Sequence, residues 1–266
     1  DEPYQIKRKF PDILVAVDAN RRRGIRNLLA LPENECPEVI VLDDAFQHRY
    51  VTPTLNILLT DSHRLYTQDK LLPTGRLREP DGARRANVII VTKCESCIQL
   101  IDFRIIEEDM HLSAYQELYF SQILYGELEP VFSGKAPRRT LKGLASTTEV
   151  LLVSGIASPA PLEKEIHKYT EHVTSLVFPD HHAFDRHDIK KIQMAFKRLT
   201  STSKLIITTE KDAARLRDLP SLPMEWLSHL YYLPITVGFC MDREKQFQEL
   251  IVKHINTRIK NHPILR

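Results

Sequence analysis

Two adjacent carboxylates, Asp43 and Asp44, are the residues whose type and placement first suggest chemistry. They follow an apolar run at residues 39–42, and a second apolar run at residues 55–59 closes on Asp61. Short β-branched runs like these predict strands that are buried on both faces of a parallel sheet. In such sheets, ligands bind beyond the carboxyl ends of the strands. The pair therefore indicates a position where phosphate-bound Mg²⁺ could be held, although a buried strand can also simply end in a solvated Asp.

Arginines occur in two segments that could bind phosphate. Residues 21–23 are all arginine and open a predicted helix, which follows a strand predicted at residues 13–17. The long loop at residues 62–86 carries Arg76 and Arg78 between a glycine and a proline. A planar guanidinium group binds two phosphate oxygens at once, which lysine cannot do as well. The loop therefore predicts a phosphate contact, whereas the arginine run is also typical of a solvated helix face.

Histidines and carboxylates that could move protons follow a later predicted strand. The stretch PDHHAFDRHD places His181 and His182 directly after Asp180. Such a pair can bind a metal ion, but on a loop it is more often a hydrogen-bonding or acid–base site. An Asp pair for Mg²⁺, arginines for phosphate and an Asp–His pair for a proton together make up the parts of a phosphoryl-transfer site.

Composition places the chain among ordinary globular proteins. It has 266 residues, of which 42% are hydrophobic and 27% charged, enough for two domains with sizeable cores. The net charge of +2 gives no indication of nucleic-acid binding. Glycine is sparse, at 8 residues, which matters because phosphate-binding loops use glycine.

The four cysteines predict neither a disulfide framework nor a zinc site. Cys94 and Cys97 form a lone C-x-x-C, and Cys36 and Cys240 do not complete it. No apolar run reaches the 18 residues that a membrane-spanning helix needs. These patterns favour a protein of the reducing cytoplasm.

Strands and helices alternate through both halves of the chain, which predicts an α/β fold of two doubly wound layers joined by a linker. The predicted domains are residues 1–125, a smaller α/β domain at residues 126–241 and a terminal helix at residues 242–266. We expect the strand predicted at residues 117–124 to leave the first layer. We take residues 126–148, which are rich in Pro, Gly, Lys and Arg, as the linker.

Six stretches, in a consistent order, resemble the tetraacyldisaccharide 4'-kinase family, the lipid A 4'-kinases of Gram-negative bacteria. They are DEP at residues 1–3, LDDAFQHR at 42–49, LLPTGRLREP at 71–80, SGIASP at 154–159, FPDHHAF at 178–184 and TTEKDAARL at 208–216. Together they span most of the chain, and they are most similar to the Bacteroides-type branch.

The resemblance implies a kinase that transfers the γ-phosphate of ATP, with Mg²⁺, to the 4'-hydroxyl of tetraacyldisaccharide 1-phosphate, giving lipid IVA in lipid A biosynthesis. It implies a fold similar to P-loop kinases, with a nucleotide-binding domain and a smaller α/β domain. Because the substrate is a lipid, it also implies a cytoplasmic protein that acts peripherally at the inner face of the cytoplasmic membrane. No nucleic-acid partner is implied.

Site residues carry over position by position from the family's motifs. The resemblance implies that Asp1 and His181 act on the acceptor hydroxyl. It implies that Asp43 and Asp44 hold Mg²⁺ and, with Gln47, contribute to cofactor binding. The residues that it assigns to positioning substrate and phosphate are Glu2, Arg21, Arg76, Arg78 and Glu79.

One element of the family is missing from this sequence. A G-x-x-x-x-G-K-[ST] phosphate loop does not occur, and Gly134-Lys135 is followed by Ala136 without the first glycine at the right spacing. We therefore expect the first strand and the phosphate loop to be absent and the chain to start in mid-domain after an N-terminal truncation. On its own it is expected to bind MgATP poorly and not to turn over.

Two other functions stay open at this point. The D-H-H sequence also marks a family of metal-dependent phosphoesterases, although the further Asp and His ligands of those enzymes are not evident. A non-catalytic nucleotide-binding module is the second alternative, since the phosphate loop is missing.

Overall fold

The computed structural model describes residues 2–79, 81–95, 99–180, 182–219 and 222–261, with side chains in the last helix described to residue 257. The helices are α1 (Glu2–Lys9), α2 (Arg21–Leu29), α3 (Leu100–Asp109), α4 (Ala160–His167), α5 (Arg186–Arg198), α6 (Glu210–Arg217) and α7 (Glu244–Asn261). The strands are β1 (Ile57–Asp61), β2 (Val88–Thr92), β3 (Glu117–Tyr125), β4 (Glu129–Pro130), β5 (Glu149–Ser154), β6 (Val173–Val177), β7 (Lys204–Thr209), β8 (Leu230–Leu233) and β9 (Ile235–Phe239). None of the described helices is long and apolar enough to cross a membrane.

The chain divides into two compact units. Asp1–Ile13 and Tyr125–Thr236 form one, and Leu14–Leu124 and Val237–Arg266 form the other. We call them the five-stranded unit and the four-stranded unit after their sheets. The domain boundaries expected from the sequence stay a prediction, but this grouping differs from them at both ends, because α1 packs against α6 and the apolar face of α7 packs against β2 and β3.

The four-stranded unit has its sheet in the order β1-β2-β3-β9, with β1, β2 and β3 parallel. The central strand β2 reads VIIVT and is almost completely buried, as expected for a parallel strand covered on both faces. Alternation sends Ile89 to the face that packs with Phe103 of α3, and Val88 to the face that packs with Phe247 of α7. Helices thus cover both faces of this sheet.

The five-stranded unit has the strand order β4-β8-β7-β5-β6. Strands β6, β5, β7 and β8 are parallel, and only the short β4 is antiparallel. The apolar strand β5 again serves both faces: Leu151 packs with Phe196 of α5, and Leu152 packs with Ile166 of α4. The single tryptophan, Trp226, is fully buried in the same core as Phe196.

Two strands expected from the sequence do not form. Residues 13–17 and 39–42 are irregular, and several of their apolar side chains are open to solvent, with Val17 78% and Val41 87% exposed. Apolar, β-branched composition favours a strand, but a strand forms only when a neighbouring strand accepts its hydrogen bonds. Among the described residues, β1 is the last strand on that side of the sheet, so these segments have no ladder to join.

Other expectations are corrected by strand pairing. The strand expected to leave the first layer is β3, and it instead pairs in parallel with β2 from Val88↔Glu117 onward. The expected linker contains β4, which pairs with β8 at Glu129↔Tyr232. Pro234 divides the single last strand that the sequence suggested into β8 and β9, since proline has no N–H for a ladder.

We expect Phe196→Ala to destabilise the five-stranded unit by about 3–5 kcal/mol, because the side chain is 2% exposed and its removal leaves a cavity in the core. Urea unfolding followed by the fluorescence of Trp226 measures this directly, since the two residues share a core. Met194→Ala on the same helix is the control, because Met194 is 58% exposed. Equal effects of the two substitutions would contradict the packing described here.

Candidate active site

Three of the six motifs meet at one edge of the five-stranded sheet. Strands β5, β6 and β7 are parallel, so their carboxyl ends lie side by side. SGIASP begins with the last residue of β5, FPDHHAF follows β6, and TTEKDAARL runs from the end of β7 into α6. This is the edge of an open α/β sheet at which ligands bind.

A buried carboxylate, Asp212, holds two of these motifs together. Its Oδ2 accepts hydrogen bonds from the backbone N–H of Gly155 at 2.8 Å and from the hydroxyl of Thr209 at 2.7 Å. Its Oδ1 accepts one from Arg215 at 3.1 Å, and the residue has no solvent exposure. A charge can be buried in this way because each of its oxygens has a donor. Asp212 therefore fixes the loop after β5 to the start of α6.

The lack of a side chain at Gly155 allows the FPDHHAF motif to pack closely against the other two motifs. A Cβ atom at this position would lie 3.1 Å from Oδ1 of Asp212 and 3.3 Å from the carbonyl oxygen of Pro179. Both distances are tighter than ordinary van der Waals contacts. Glycine is therefore the residue that allows the FPDHHAF loop to pack against the other two motifs.

Lys211 connects this edge to the start of the chain. Its Nζ lies 3.6 Å from Oε1 of Glu2, in the DEP motif, and 3.8 Å from Oδ1 of Asp180, in the FPDHHAF motif. The Lys211 side chain is only 18% exposed, and its charge lies close to both carboxylates. Lys211 belongs to the TTEKDAARL motif, but its residue type and position in the sequence do not predict this role. Its place between two acidic motifs depends on the packing of α1 against α6.

His182 forms a hydrogen bond and a ring-stacking contact with neighbouring side chains. Its Nε2 lies 2.7 Å from Oδ2 of Asp188, and its ring stacks on Phe178 with the centroids 4.9 Å apart. Asp188 also accepts from the backbone N–H of Asp185, as part of the capping box of α5. Burial favours the neutral form of Asp188, but the hydrogen bonds from His182 and Asp185 outweigh it, so the pKa of Asp188 is lowered.

The predicted catalytic residues Asp1 and His181 lie outside the described residues, and their assignment stays a prediction. The structure does describe the neighbours of both. Glu2, which follows Asp1, and Asp180, which precedes His181, approach the same lysine. The described parts of the DEP and FPDHHAF motifs therefore come together in the five-stranded unit.

The predicted metal and cofactor residues belong to the four-stranded unit. Asp43, Asp44 and Gln47 lie in consecutive turns and are exposed, and Asp44 has a φ of 45° in the left-handed region. Within the described part of the chain, no three His, Cys, Asp or Glu residues gather into a metal cluster. Two adjacent carboxylates suit Mg²⁺, which commonly keeps several waters and binds through one or two protein carboxylates and phosphate oxygens. These residues fit the metal expected from the sequence as a partial ligand set.

Glu79 is committed to an ion pair. Arg85 makes two hydrogen bonds to its carboxylate, both of 2.6 Å, and a third to the carbonyl oxygen of Phe46 at 3.0 Å. The same guanidinium covers the Phe46 ring at 4.8 Å. Its hydrogen bonds lower the pKa of Glu79. Arg85 thereby joins the LLPTGRLREP motif to LDDAFQHR, and Glu79 supports this contact in addition to any role with phosphate.

The loop that carries Arg76 and Arg78 is shaped by Asp69. This carboxylate accepts from the backbone N–H groups of Lys70 and Arg76 and from the side chain of Arg64. Both predicted phosphate ligands, Arg76 and Arg78, are exposed on the loop that results. A fixed backbone with outward guanidinium groups suits an anionic ligand.

The predicted phosphate ligand Arg21 begins α2. Its guanidinium donates to the carbonyl oxygen of Asp18, whose carboxylate pairs with Arg23 at 2.7 Å. Arg22 and Arg26 are exposed on the same helix. In this structure Arg21 therefore helps to fix the segment that precedes α2.

The thiol of Cys94 is buried at the end of β2. Burial and the neighbouring Cys240 raise the pKa of Cys94 to about 12, so the thiol stays protonated. A protonated thiol is neither a nucleophile nor a metal ligand. Cys97, the other half of the C-x-x-C, lies outside the described residues.

Comparison with known proteins decides the family. The chain matches the LpxK family, described as tetraacyldisaccharide-1-P 4'-kinase, over residues 1–256. It belongs to this family. Its resemblance to the Bacteroides-type branch is confirmed, and the alternative of a DHH-type phosphoesterase is not supported. The alternative of a non-catalytic nucleotide-binding module is not tested by these matches.

Curated relatives of the chain are named tetraacyldisaccharide 4'-kinase. The chain is 92% identical over 267 residues to the tetraacyldisaccharide 4'-kinase of Parabacteroides distasonis, covering 100% of this chain and 72% of that protein. It is 46% identical to that of Bacteroides thetaiotaomicron, covering 98% and 70%. With the kinase of Porphyromonas gingivalis the identity is 42%, covering 95% and 70%. The chain therefore spans about seven-tenths of the length of these relatives.

The fold also has a solved counterpart. The crystal structure of LpxK from Aquifex aeolicus in complex with ATP superimposes with a TM-score of 0.63 at 23% identity, covering 96% of this chain and 68% of that one. At this identity the likeness concerns the fold. The predicted kinase-like α/β fold is thus confirmed.

We expect Asp188→Asn to lower the free energy of unfolding of the five-stranded unit by about 1–2 kcal/mol at pH 7, because it weakens the contact with His182 and the capping box. The pKa of Asp188 is lowered in the folded protein, so its contribution is complete above the unfolded value of about 3.9 and is lost as the pH falls through the folded value. The difference between the variant and the original chain should therefore shrink below pH 4.

Urea unfolding followed by Trp226 fluorescence at pH 7 and at several values below pH 4 provides the measurement. The exposed Asp218→Asn, in the same unit, is the control and should change stability by less than about 0.5 kcal/mol. A difference that stays constant through the acid range would contradict the ionised form of Asp188 in the folded protein.

Proposed function

We propose that this chain is the greater part of a kinase that transfers the γ-phosphate of ATP to the 4'-hydroxyl of tetraacyldisaccharide 1-phosphate. The observation that carries the proposal is the Lys211 contact, which draws together the DEP and FPDHHAF motifs in a chain 92% identical to a tetraacyldisaccharide 4'-kinase. The product of this reaction is lipid IVA, an intermediate of lipid A.

The reaction needs a group that takes the proton of the acceptor hydroxyl, and His181, oriented by Asp1, is proposed for it. Support for this assignment comes from the neighbours. Asp180 is held by Lys211 on one side, and His182 is held by Asp188 and Phe178 on the other. These contacts of the two described neighbours support the proposal.

Asp43 and Asp44 are proposed to hold Mg²⁺, with Gln47 close to the nucleotide. When it is bound, the ion neutralises charge that develops on the transferred phosphoryl group. Arg76 and Arg78, and Arg21 at the start of α2, are proposed to bind phosphate oxygens. The exposure of Arg76 and Arg78 on a loop fixed by Asp69 supports this role.

The acceptor is a lipid, so we further propose that the protein works at the inner face of the cytoplasmic membrane of a Gram-negative bacterium, as a peripheral protein. Exposed basic residues assist binding to anionic headgroups. Arg22 and Arg26 of α2 are exposed and are candidates for this contact.

A kinase assay with ATP, Mg²⁺ and tetraacyldisaccharide 1-phosphate tests the proposal. It compares the 266-residue chain with a form that has the length of its relatives and contains a G-x-x-x-x-G-K-[ST] loop. We expect activity in the longer form, because backbone amides and the lysine of that loop hold the β- and γ-phosphates. In it, Asp43→Ala and His181→Ala should each lower kcat by about 10²–10⁴-fold.

The matched controls are Glu107→Ala and His167→Ala, both exposed and away from the six motifs, which should leave kcat unchanged. A folded long form that is inactive with lipid present would overturn the proposal. Release of phosphate from phosphoesters with Mn²⁺ would then point to hydrolysis instead.

In the longer form we expect Lys211→Met to lower kcat by about 10–100-fold, because Glu2 and Asp180 lose the cation that draws them together and the catalytic segments shift. Lys211→Arg keeps the charge and should restore most of the rate. Lys190→Met, on the exposed face of α5, is the control. A change in the KM for ATP alone would show that Lys211 serves another purpose.

A further inference from the structure

The loop at residues 70–78 of the four-stranded unit presents adjacent apolar side chains to solvent. Leu71 is 42% exposed and Leu72 is 59% exposed, and the two residues that follow them, Pro73 and Thr74, are exposed as well. None of the roles described above uses the two leucines. Single exposed apolar residues are normal on a protein surface, whereas adjacent ones that are rimmed by charged groups are a feature of interaction sites.

Backbone contacts close this loop tightly. The N–H of Leu77 donates to the carbonyl oxygen of Lys70 at 3.0 Å, and the N–H of Leu72 donates to the carbonyl oxygen of Leu77 at 2.9 Å. A Cβ atom at Gly75 would lie only 2.0 Å from the carbonyl oxygen of Lys70, so glycine is required for this close approach. The leucines are therefore exposed at the end of a closed loop and not on a loose segment.

Positive charge surrounds the leucines. Three exposed cations flank them, namely Lys70, Arg76 and Arg78. The two carboxylates of the segment are already paired, Asp69 with Arg64 at 2.7 Å and Glu79 with Arg85 at 2.6 Å. None of the three flanking cations forms an ion pair with a residue that the structure describes. Their charges are therefore available to an anionic partner.

A bilayer surface that contains anionic lipid matches both features of the loop. Leucine side chains enter the boundary between headgroups and acyl chains, while lysine and arginine keep their charges at the level of the lipid phosphates. The core of a protein–protein interface, in contrast, is depleted of charge and enriched in aromatic residues. Residues 70–78 contain three cations and no aromatic side chain. The loop therefore fits an anionic membrane surface better than a protein partner.

Charge distinguishes this loop from another exposed apolar pair of the same unit. Leu100 and Ile101, at the start of α3, are 70% and 56% exposed. Their helix carries four carboxylates and one arginine, so an anionic surface repels it. The two pairs are alike in exposure and opposite in the charge of their surroundings, and only the loop suits an anionic bilayer.

We propose that residues 70–78 dock the protein on an anionic bilayer, with Leu71 and Leu72 entering the boundary between headgroups and acyl chains and Lys70 contacting lipid phosphates. Arg76 and Arg78 add positive charge at the same surface. This inference deepens the proposed peripheral location and rests on it. It gives the apolar half of the LLPTGRLREP motif a role, and it places two arginines that are proposed to bind phosphate beside the bilayer that holds the lipid acceptor.

Sedimentation with sucrose-loaded vesicles tests this docking for the 266-residue chain, at low ionic strength and without ATP or acceptor. Vesicles of equal parts phosphatidylcholine and phosphatidylglycerol provide the anionic surface, and phosphatidylcholine alone provides the neutral one. We expect the anionic vesicles to bind about 10–100-fold more tightly, because several cations near the surface contribute together. Added salt should weaken this binding, because the charges on both sides are exposed.

The double substitution Leu71→Ser and Leu72→Ser should weaken binding to anionic vesicles by about tenfold, because the buried apolar surface is lost. Lys70→Ala should weaken it by about fivefold, the contribution of one cation near the surface. The matched control is the double substitution Leu100→Ser and Ile101→Ser, which should leave binding unchanged. All of these side chains are exposed, so circular dichroism should show folded variants.

Fluorescence quenching by brominated acyl chains locates the loop relative to the bilayer. Leu72→Trp introduces a reporter whose emission should be quenched when the protein is bound to anionic vesicles. Leu100→Trp is the control and should not be quenched. The native Trp226 is fully buried in the five-stranded unit, so it gives a constant background.

Binding that is unchanged by the two serine substitutions, or unquenched emission of Leu72→Trp in the bound protein, would overturn the docking loop and leave attraction by charge alone. No binding to either kind of vesicle would also overturn it and would favour a protein partner for the leucines. These results are separable from the kinase assay. Activity of the longer form without docking through the loop removes this inference alone, whereas docking without kinase activity removes the proposed reaction instead.

Discussion

The site in the five-stranded unit depends on the buried carboxylate of Asp212. It satisfies a backbone N–H from one motif, a hydroxyl from another and an arginine of its own helix, and it has no contact with water. Taking a charge out of water is costly unless donors replace the lost hydration. The junction is therefore rigid, since moving any one of the segments would leave the buried carboxylate with fewer hydrogen-bond donors. The neighbouring Lys211 is thereby fixed at the start of α6, where two further carboxylates approach it.

Loops in both units are built on the same principle. In the four-stranded unit, Asp69 holds two backbone N–H groups and an arginine, and Arg85 spans Glu79 and the backbone at Phe46. In each case a charged side chain is used to shape the backbone, and other charged groups are left facing outward. Charges beside the motifs, such as Asp69 and Arg85, therefore hold the loops, whereas Arg76 and Arg78 within a motif are exposed.

These contacts distinguish the roles of individual residues within the FPDHHAF and TTEKDAARL motifs. Of the two histidines in FPDHHAF, His182 is occupied by Asp188 and by the ring of Phe178. Of the two acidic residues in TTEKDAARL, Asp212 is buried, whereas Glu210 pairs with Lys9 of α1. Helix α1 thus contacts α6 in two places, through Glu2 and Lys211 at its start and through Lys9 and Glu210 at its end.

The sequence by itself determined the α/β class, several of the buried strands and the family. Continuous apolar runs such as residues 88–91 and 150–153 identify strands covered on both faces, and six motifs in one order identify the kinase family. Only the tertiary structure decided which residues meet. Glu2 and Lys211 are more than 200 positions apart, and their contact depends on α1 packing against α6. Residues 13–17 and 39–42 have the composition of strands but no neighbour to pair with among the described residues. Apolar patterning is a property of a segment, whereas ion pairs and strand pairing are properties of two segments at once.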